Sequence, residues 1–522
     1  VSFEKVYQTR QVLTRFANIC GISCDIFNTV VYIDYSIFFV DIFKISTQPP
    51  GALAGEAIDC RCRGVHTVNT GQILFGAGAS AGIGASMATV VPPGSKIAVI
   101  TEKVLYEDIV RGVLRRLERA GYRSEVHCFL TAPMDTSVCD DVFEGHPVFE
   151  TPDDERIKQI HEGADLHEVA LAQAFCDGEE GEFCNGFPED AKVVLGIGSG
   201  SVIDAAKYIA TVRGLPCYIV ATSPTLIGCL TPSAMLMRGG FIEVFKVKPP
   251  AAVLCDTDFF DSLPQAHAAA AVGEIAGVLT ALFDWRMASL LTNEPFCPFL
   301  ADVATDCIDL LIEKLGEDAV VLPFEMMGYA AECSLRLSAI SQMIGNSRLT
   351  CGGETHLTHA YLMLLNRQRR ERRLYGEYIG MATINALNLY IHELEFNIRS
   401  GFMPPPDNNV RMDKIAGYFG VPWMQAGDKI SPLYTQRILD VTMYKLTECR
   451  SELLAWASSA QQKAEKLRHY ARRMYSDFGY SLNHHITQAD TDMCLALAPD
   501  IREKFSFLTQ LKNMGLLERL LD

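Results

Sequence analysis

Positive charge is scarce in this chain: Lys and Arg number 46 against 63 Asp and Glu, a formal net charge of -17 over 522 residues. A surface of that sign repels phosphate backbones and anionic lipid, which argues against nucleic-acid and membrane-surface partners. Runs long enough to span a bilayer are missing too. The longest apolar stretch, 30–43, carries Asp34 and Asp41 and falls short of the ~20 residues a spanning helix needs. No basic, apolar and small-residue leader opens the chain. Cysteine is not scarce, at 17, but the odd count and scattered positions fit reduced thiols of a cytoplasmic protein better than a disulfide framework. With 23 Pro, 39 Gly and 49% hydrophobic residues, the chain is neither disordered nor collagen-like nor of low complexity.

What is present is an α/β pattern that gives way to helices. The chain opens on Val1 rather than Met, and Pro49-Pro50-Gly51 interrupts the β-like run that begins at Tyr32, so residues 1–56 read as an extension without an assigned role. Buried-strand runs follow at Gln72–Phe75, Ile97–Thr101, Val126–Leu130, Val193–Ile197 and Cys217–Ala221. Between the second and third, Leu105, Ile109, Val113 and Leu117 share one face of a helix expected over 105–120, with Gly121 as its stop. Strand–helix–strand units at this spacing mean right-handed crossovers and a mostly parallel sheet. Beyond about Pro264 long helical patterns run to the end. The expected architecture is an α/β Rossmann-like nucleotide-binding domain over 57–263 and an all-α domain over 264–522, with the cleft between them as the natural site.

Two glycine-rich loops compete for a phosphate. Gly76-Ala-Gly-Ala-Ser-Ala-Gly-Ile-Gly84 looks like the loop of short-chain dehydrogenases, but no tyrosine here has lysine at the fourth following position. A permissive turn into a helix explains it better. Gly196-Ile-Gly-Ser-Gly-Ser-Val-Ile-Asp-Ala-Ala-Lys207 follows a buried strand and opens a helix. There Gly198 and Gly200 let the backbone approach a diphosphate, the first amides of the helix point at it, and Ser201 is placed to cap.

This second loop resembles the GGGS/GSG(T/S)xxD signature of the iron-containing alcohol dehydrogenase, glycerol dehydrogenase and dehydroquinate synthase superfamily. Within it the likeness is to the sn-glycerol-1-phosphate dehydrogenase family, carried by further landmarks in order. Asp59-Cys-Arg-Cys-Arg-Gly-Val-His-Thr resembles DCxCGxxHT, Ala221-Thr-Ser-Pro-Thr-Leu-Ile-Gly resembles ATAPSMDG, and Thr280-Ala-Leu-Phe-Asp-Trp resembles TALADW. Gly345-Asn-Ser-Arg-Leu-Thr-Cys-Gly-Gly-Glu is similar to GNSRPASGAE, and Ala498-Pro-Asp-Ile-Arg-Glu-Lys-Phe with Gly515-Leu-Leu is similar to the family's C-terminal helix.

The resemblance implies a dehydroquinate synthase-like fold and NAD(P)-dependent reduction of dihydroxyacetone phosphate, or a related ketone or polyol, with a divalent metal (Zn, Ni or Fe) polarising the carbonyl. It ties the reaction to phospholipid metabolism, a small phosphorylated or polyol substrate, and a homo-oligomer by analogy. For the cofactor it implies Gly198, Ser199, Gly200, Ser201, Val202 and Asp204 on the loop, Thr222, Ser223 and Thr225 on the second segment, and Thr231. Glu102, where the family has Asp, would accept from the adenine ribose and repel a 2′-phosphate, which favours NAD over NADP.

The implied chemistry is altered. Ile227 stands for a substrate-contacting Asp, Glu274 for a metal-binding Asp, Val278 for Lys, Thr355 for a metal His and Tyr375 for the last metal His. Glu274 still suits a divalent ion, and His356 with His359 keeps a His-x-x-His spacing, so the implied metal set is Glu274, His356 and His359, with Glu274 and Tyr375 nearest the reaction. A neutral phenol is a poor ligand for Zn or Fe. Cys60, Cys62 and His66 have the residue types of a metal site, yet three such groups on one hairpin read as a structural feature of that turn. The alternative function is a catalytically impaired nucleotide-binding homologue that has lost its metal. A lyase or cyclase like dehydroquinate synthase is a third, hinted at only by Glu274.

Overall fold

Ile97-Ala98-Val99-Ile100 and Val193-Val194-Leu195 are uninterrupted apolar runs, and a strand made of such residues needs cover on both faces. In the computed structural model both are central strands, and these side chains are wholly buried. The structure describes residues 45–60, 62, 64–102, 105–129, 188–238, 241–316, 322–368, 370, 373–398, 407–421, 427, 434–474, 486–502 and 504–521. The β-like run from Tyr32 and the acidic stretch around Asp177 lie outside them. Residues 49–522 form one compact unit.

Six parallel strands make the main sheet, in the order β3-β10-β7-β6-β4-β5. They are β3 (Gln72–Gly76), β4 (Lys96–Glu102), β5 (Arg123–Phe129), β6 (Ala191–Gly198), β7 (Cys217–Ala221) and β10 (Ala252–Asp256). Two small antiparallel hairpins stand apart: β1 (Ala57–Asp59) with β2 (Val65–Thr67), and β8 (Ser233–Arg238) with β9 (Phe241–Lys246). The expected helix after β4 is split. Its first turn, Tyr106–Val110, is a π-helix, and α-helical bonding holds only over α2 (Arg111–Arg119). Ile109, Val113 and Leu117 are buried against the sheet as their spacing requires, and Gly121 takes the stop with a φ of 89°. The preceding helix, α1, is Ile83–Val90.

Helix α3 (Gly200–Arg213) crosses from β6 to β7. Its Ala205 and Ala206 let it lie close on β6, where a Cβ on Gly196 would stand 2.8 Å from that of Ala206. From residue 266 on the described elements are helical: α4 (Ala266–Thr292), α5 (Pro298–Leu315), α6 (Pro323–Ile344), α7 (Gly353–Arg367), α8 (Tyr375–His392), α9 (Asn408–Phe419), α10 (Gln436–Met474), α11 (Gln488–Ile501) and α12 (Phe507–Asn513). Helix α4 is long and apolar enough to cross a membrane, but 89% of its most apolar window is buried inside the protein. It is the core helix around which α8 and α10 pack.

Candidate active site at the carboxyl end of the sheet

Strands β4 and β6 are neighbours, yet the sheet grows outward from them in opposite directions, to β5 on one side and β7 on the other. Crossovers that diverge in this way leave a crevice above the carboxyl ends of the two strands. The Gly196–Lys207 segment opens into that crevice. Ser199, extended at φ -115° and ψ -166°, is the N-cap of α3, with no side-chain capping bond. The cap is therefore not Ser201, which lies exposed in the first turn, because the chain already turns helical at Gly200. The first helical bond runs from Ile203 N–H to Ser199 O at 3.0 Å, so the amides of Gly200, Ser201 and Val202 precede the internal ladder.

The glycines have different reasons. A Cβ on Gly198 would come within 2.7 Å of the Val202 side chain, so the fold itself needs that glycine. A Cβ on Gly200 would meet nothing within 4 Å, which leaves room for a ligand above the helix start. The first glycine loop differs in kind. There the Asp256 carboxylate accepts from Gly78 N–H at 2.9 Å and Ser80 N–H at 2.8 Å, and Asp258 also accepts from Gly78 at 3.0 Å. An internal carboxylate already fills the anion position, as the reading of a plain turn requires.

Around the second loop, Thr222 N–H donates to Gly198 O at 3.1 Å. The buried Ser223 hydroxyl lies 3.0 Å from Thr225 Oγ1 and 3.3 Å from His267 Nδ1. Glu102 ends β4 one step past the Thr101–Ile197 pair, beside Gly198. Asp204 and Thr231 are committed within the protein. Asp204 pairs with Lys207 at 2.9 Å and accepts from Met235 N–H at 3.0 Å, and Thr231 donates to Gly228 O at 2.7 Å. The wholly buried Lys207 donates to Gly228 O and Ser233 O at 2.8 and 2.7 Å. It thereby fixes the 222–235 segment as the floor of the crevice, a role its place in the motif did not announce.

The helical side brings titratable groups toward this floor. Glu274 on α4 is pushed up to about 8 by burial, with the Asp204 carboxylate adding to the rise and the Ile227 N–H opposing it. Tyr375, first residue of α8, has its hydroxyl 3.9 Å from Met235 Sδ. Burial, and next Glu274, hold its phenol well above the usual value. His356 and His359 on α7 are wholly buried and held neutral, first by burial and then by Arg502. His356 Nδ1 lies 3.4 Å from Ser506 Oγ, while its Nε2 and both nitrogens of His359 lack partners.

Arg502 connects these groups, acting on Tyr375 as well as on both histidines. It donates to Cys351 Sγ at 3.3 Å, and its Nη1 is buried without a partner. Nearby Lys504 donates to Ser347 Oγ at 2.5 Å and is lowered to about 8 by burial, with Arg348 and Arg502 contributing. Arg348 itself is compensated by a bidentate pair with Glu294. Arg502 and Lys504 were in view in the Ala498–Phe505 landmark, but nothing in their spacing singles them out.

The crevice fits a dinucleotide's diphosphate, on the ground of the open space at Gly200 and the first-turn amides. A divalent metal held by Glu274, His356 and His359 does not fit. Among the described residues, the one group of three or more His, Cys, Asp or Glu whose ligand atoms all lie within 4.8 Å of one another excludes all three. Arg502 also places a fixed positive charge where a dication would need anionic donors.

Beside the histidines, Glu354 lies wholly within the protein. It accepts from Gly352 N–H and Thr355 Oγ1, each at 2.9 Å. Burial pushes its carboxyl from 4.5 up to about 8, the Asp284 carboxylate adding to the rise. The folded protein holds this proton more tightly than the unfolded chain, so the group's stabilising contribution is full below pH 4.5 and is lost as pH climbs through about 8. Replacing Glu354→Gln is expected to flatten the fall of stability between these values by up to about 1.4 kcal/mol per pH unit, one proton's worth. Urea unfolding at a series of pH values measures it, and parallel wild-type and variant curves would refute it.

Residues 154–264 match the family described as iron-containing alcohol dehydrogenase. The chain's further likeness is to the glycerol-1-phosphate dehydrogenases. It is 32% identical over 202 residues to the glycerol-1-phosphate dehydrogenase [NAD(P)+] of Methanococcoides burtonii, covering 38% of this chain and 54% of that one. To the enzyme of that name from Bacillus licheniformis it is 27% identical over 205 residues, covering 39% and 51%. The chain thus spans about half the length of the curated relatives it matches. The NADH-dependent butanol dehydrogenase A structure from Thermotoga maritima has a TM-score of 0.49 at 13% identity, covering 86% of this chain and 96% of its own.

Proposed function

We propose that this protein is an NAD(P)-dependent oxidoreductase of the glycerol-1-phosphate dehydrogenase type, reducing the ketone of dihydroxyacetone phosphate or a close phosphorylated analogue. The observation that carries the reading is the clearance at Gly200 over the first-turn amides of α3, at the sheet's switch point. When bound, the nicotinamide supplies a hydride to the carbonyl carbon. Gly200, Ser201 and Val202 amides hold the diphosphate, with Ser199, Thr222, Ser223 and Thr225 lining the same end of the sheet. Glu102 receives the adenine ribose. Arg502, with its unpartnered Nη1, and Lys504 suit a substrate phosphate, the kind of dianion that two partly desolvated cations bind best.

Glu274 carries the acid role. With its carboxyl raised to about 8, it is protonated at neutral pH and close enough to the operating pH to give its proton to the ketone oxygen as the alkoxide forms. Tyr375 keeps its proton throughout this range and serves as a hydrogen-bond donor. Reduction is therefore expected to fall as pH rises through about 8, and Glu274→Gln to lose that limb together with about 10²–10⁴ in kcat. NADH oxidation with dihydroxyacetone phosphate, followed across pH, tests both. Glu102→Gln is expected to improve NADPH binding relative to NADH, read as a ratio of kcat/KM values; an unchanged ratio would remove the ribose assignment.

A second reading has its own observation. Glu274, His356 and His359 do not gather as one ligand set, and Tyr375 stands where the resemblance implies the last metal His, which favours a nucleotide-binding homologue with impaired catalysis. NADH binding without turnover on dihydroxyacetone phosphate, dihydroxyacetone or glycerol would select it.

A further inference from the structure

Cys60, Cys62 and His66 are joined in space by a residue 231 positions beyond the last of them, Cys297. The Sγ of Cys62 lies 3.2 Å from His66 Nε2, Cys297 Sγ lies 3.4 Å from the same nitrogen, and Cys60 Sγ lies 3.6 Å from Cys297 Sγ. All four donor atoms lie within 4.8 Å of one another. We propose that these side chains form a closed, structural zinc site of the Cys3His type, distinct from the crevice.

The geometry is that of a tetrahedron waiting for its centre. Zinc bonds of about 2.3 Å to sulfur and 2.0–2.1 Å to nitrogen put neighbouring donors about 3.5–3.8 Å apart, close to the separations found. A sulfur pair at 3.6 Å is too far for a disulfide of about 2.05 Å. The second shell sets the tautomer. His66 Nδ1 lies 3.0 Å from the Met343 carbonyl, which only accepts, so Nδ1 carries the hydrogen and Nε2 turns its lone pair toward the thiols. Three thiolates and an imidazole are soft donors suited to zinc, and four protein ligands leave no open position for substrate.

The local chain is shaped for the task. Cys60 N–H donates to Gly64 O at 3.0 Å, closing the β1–β2 hairpin. Cys297 is the N-cap of α5, with Pro298 after it, so the start of that helix fixes where its sulfur sits. His66 and Cys297 are buried, while Cys62 is exposed at the rim, which gives an ion a way in. Occupied, the site would clip the hairpin ahead of the sheet to α5 and, through Met343, to α6. Thr70 and Leu230 already meet Gln342 on α6 beside it.

Metal analysis of the full chain, purified reduced and reconstituted with zinc sulfate, is expected to give one zinc that survives His356→Ala with His359→Ala and is lost in Cys297→Ser and Cys60→Ser. Because those serine variants can unfold, the wild-type protein loaded with cobalt(II) provides a second readout. A strong thiolate-to-cobalt charge-transfer band with tetrahedral visible bands is expected. Zinc retained in both serine variants, cobalt without thiolate bands, or a Cys60–Cys297 disulfide in protein reconstituted under reducing conditions would overturn the proposal. Since none of the four ligands is among the residues assigned to the cofactor or the reaction, its failure leaves the dehydrogenase reading intact.

Discussion

Gly200→Val is expected to weaken NADH binding at least about 100-fold while leaving the melting temperature close to wild type. The expectation follows from two facts that pull apart what a glycine does for the fold from what it does for a ligand. A Cβ at Gly200 meets no protein atom within 4 Å, so the fold has no steric use for the missing side chain. The residue is the first of α3, preceded by the extended Ser199, and its φ is not in the left-handed region. Valine there stands over the first-turn amides, in the space a diphosphate must enter to reach them. Gly198→Ala is the contrasting control. Its Cβ would press to within 2.7 Å of Val202, so that variant loses stability by about 1–3 kcal/mol as an overpacked core does. Isothermal titration with NADH, alongside thermal melts, reads both. Unimpaired binding in Gly200→Val would remove the loop from the site and with it the proposed oxidoreductase.

The contrast shows why the sheet was legible in the residues while parts of the site were not. Strands β4, β6 and β7 are built on unbroken buried apolar runs, as strands covered on both faces are, and a continuous run such as Ile97–Ile100 has few other uses. Strand β10 escaped because Ala252-Val-Leu-Cys is short and follows Pro249-Pro250, which reads as a loop. The β8–β9 hairpin escaped because its register is held by distant partners, Asp204 through Met235 N–H and Lys207 through Ser233 O. The cap at Ser201 was misplaced by two residues for a local reason: serine at either position satisfies the pattern, and only the backbone angles decide. The cofactor loop was visible since its glycines and helix start are contiguous. Arg502 and Cys297 were not, since each works with groups far away in the chain. Arg502 acts on residues of α7 and α8, and Cys297 joins a hairpin more than 230 positions earlier.

Asp284→Ala is expected to be the most damaging single change in the helical half. This wholly buried residue of α4 accepts from Gly353 N–H at 2.6 Å and Phe507 N–H at 2.7 Å, the first residues of α7 and α12, and from the Tyr390 hydroxyl at 3.2 Å. One carboxyl therefore caps two helices at once. Burial still pushes it up from 3.8 to about 7, against the pull of the Phe507 and Gly353 amides. Tyr390 is itself packed against Phe507 and Phe283, with ring centroids 5.0 and 5.2 Å away, so it does not turn elsewhere without disturbing that cluster. Alanine leaves two backbone donors and a phenol unsatisfied where water does not reach, at about 1–3 kcal/mol for each group. The sum, about 3–9 kcal/mol, is a large share of the 5–15 kcal/mol that holds a typical domain folded. Asparagine keeps one oxygen and is expected to lose about half as much. Because α7 carries His356 and His359 and opens next to Glu354, partial loss of this cap frays the helix that carries both histidines before the sheet is affected. Urea unfolding by tryptophan fluorescence, with hydrogen exchange read on 353–360 and 507–513, measures both effects. Alanine within about 1 kcal/mol of wild type, with exchange on those segments unchanged, would show that the two helix starts are held by something other than Asp284.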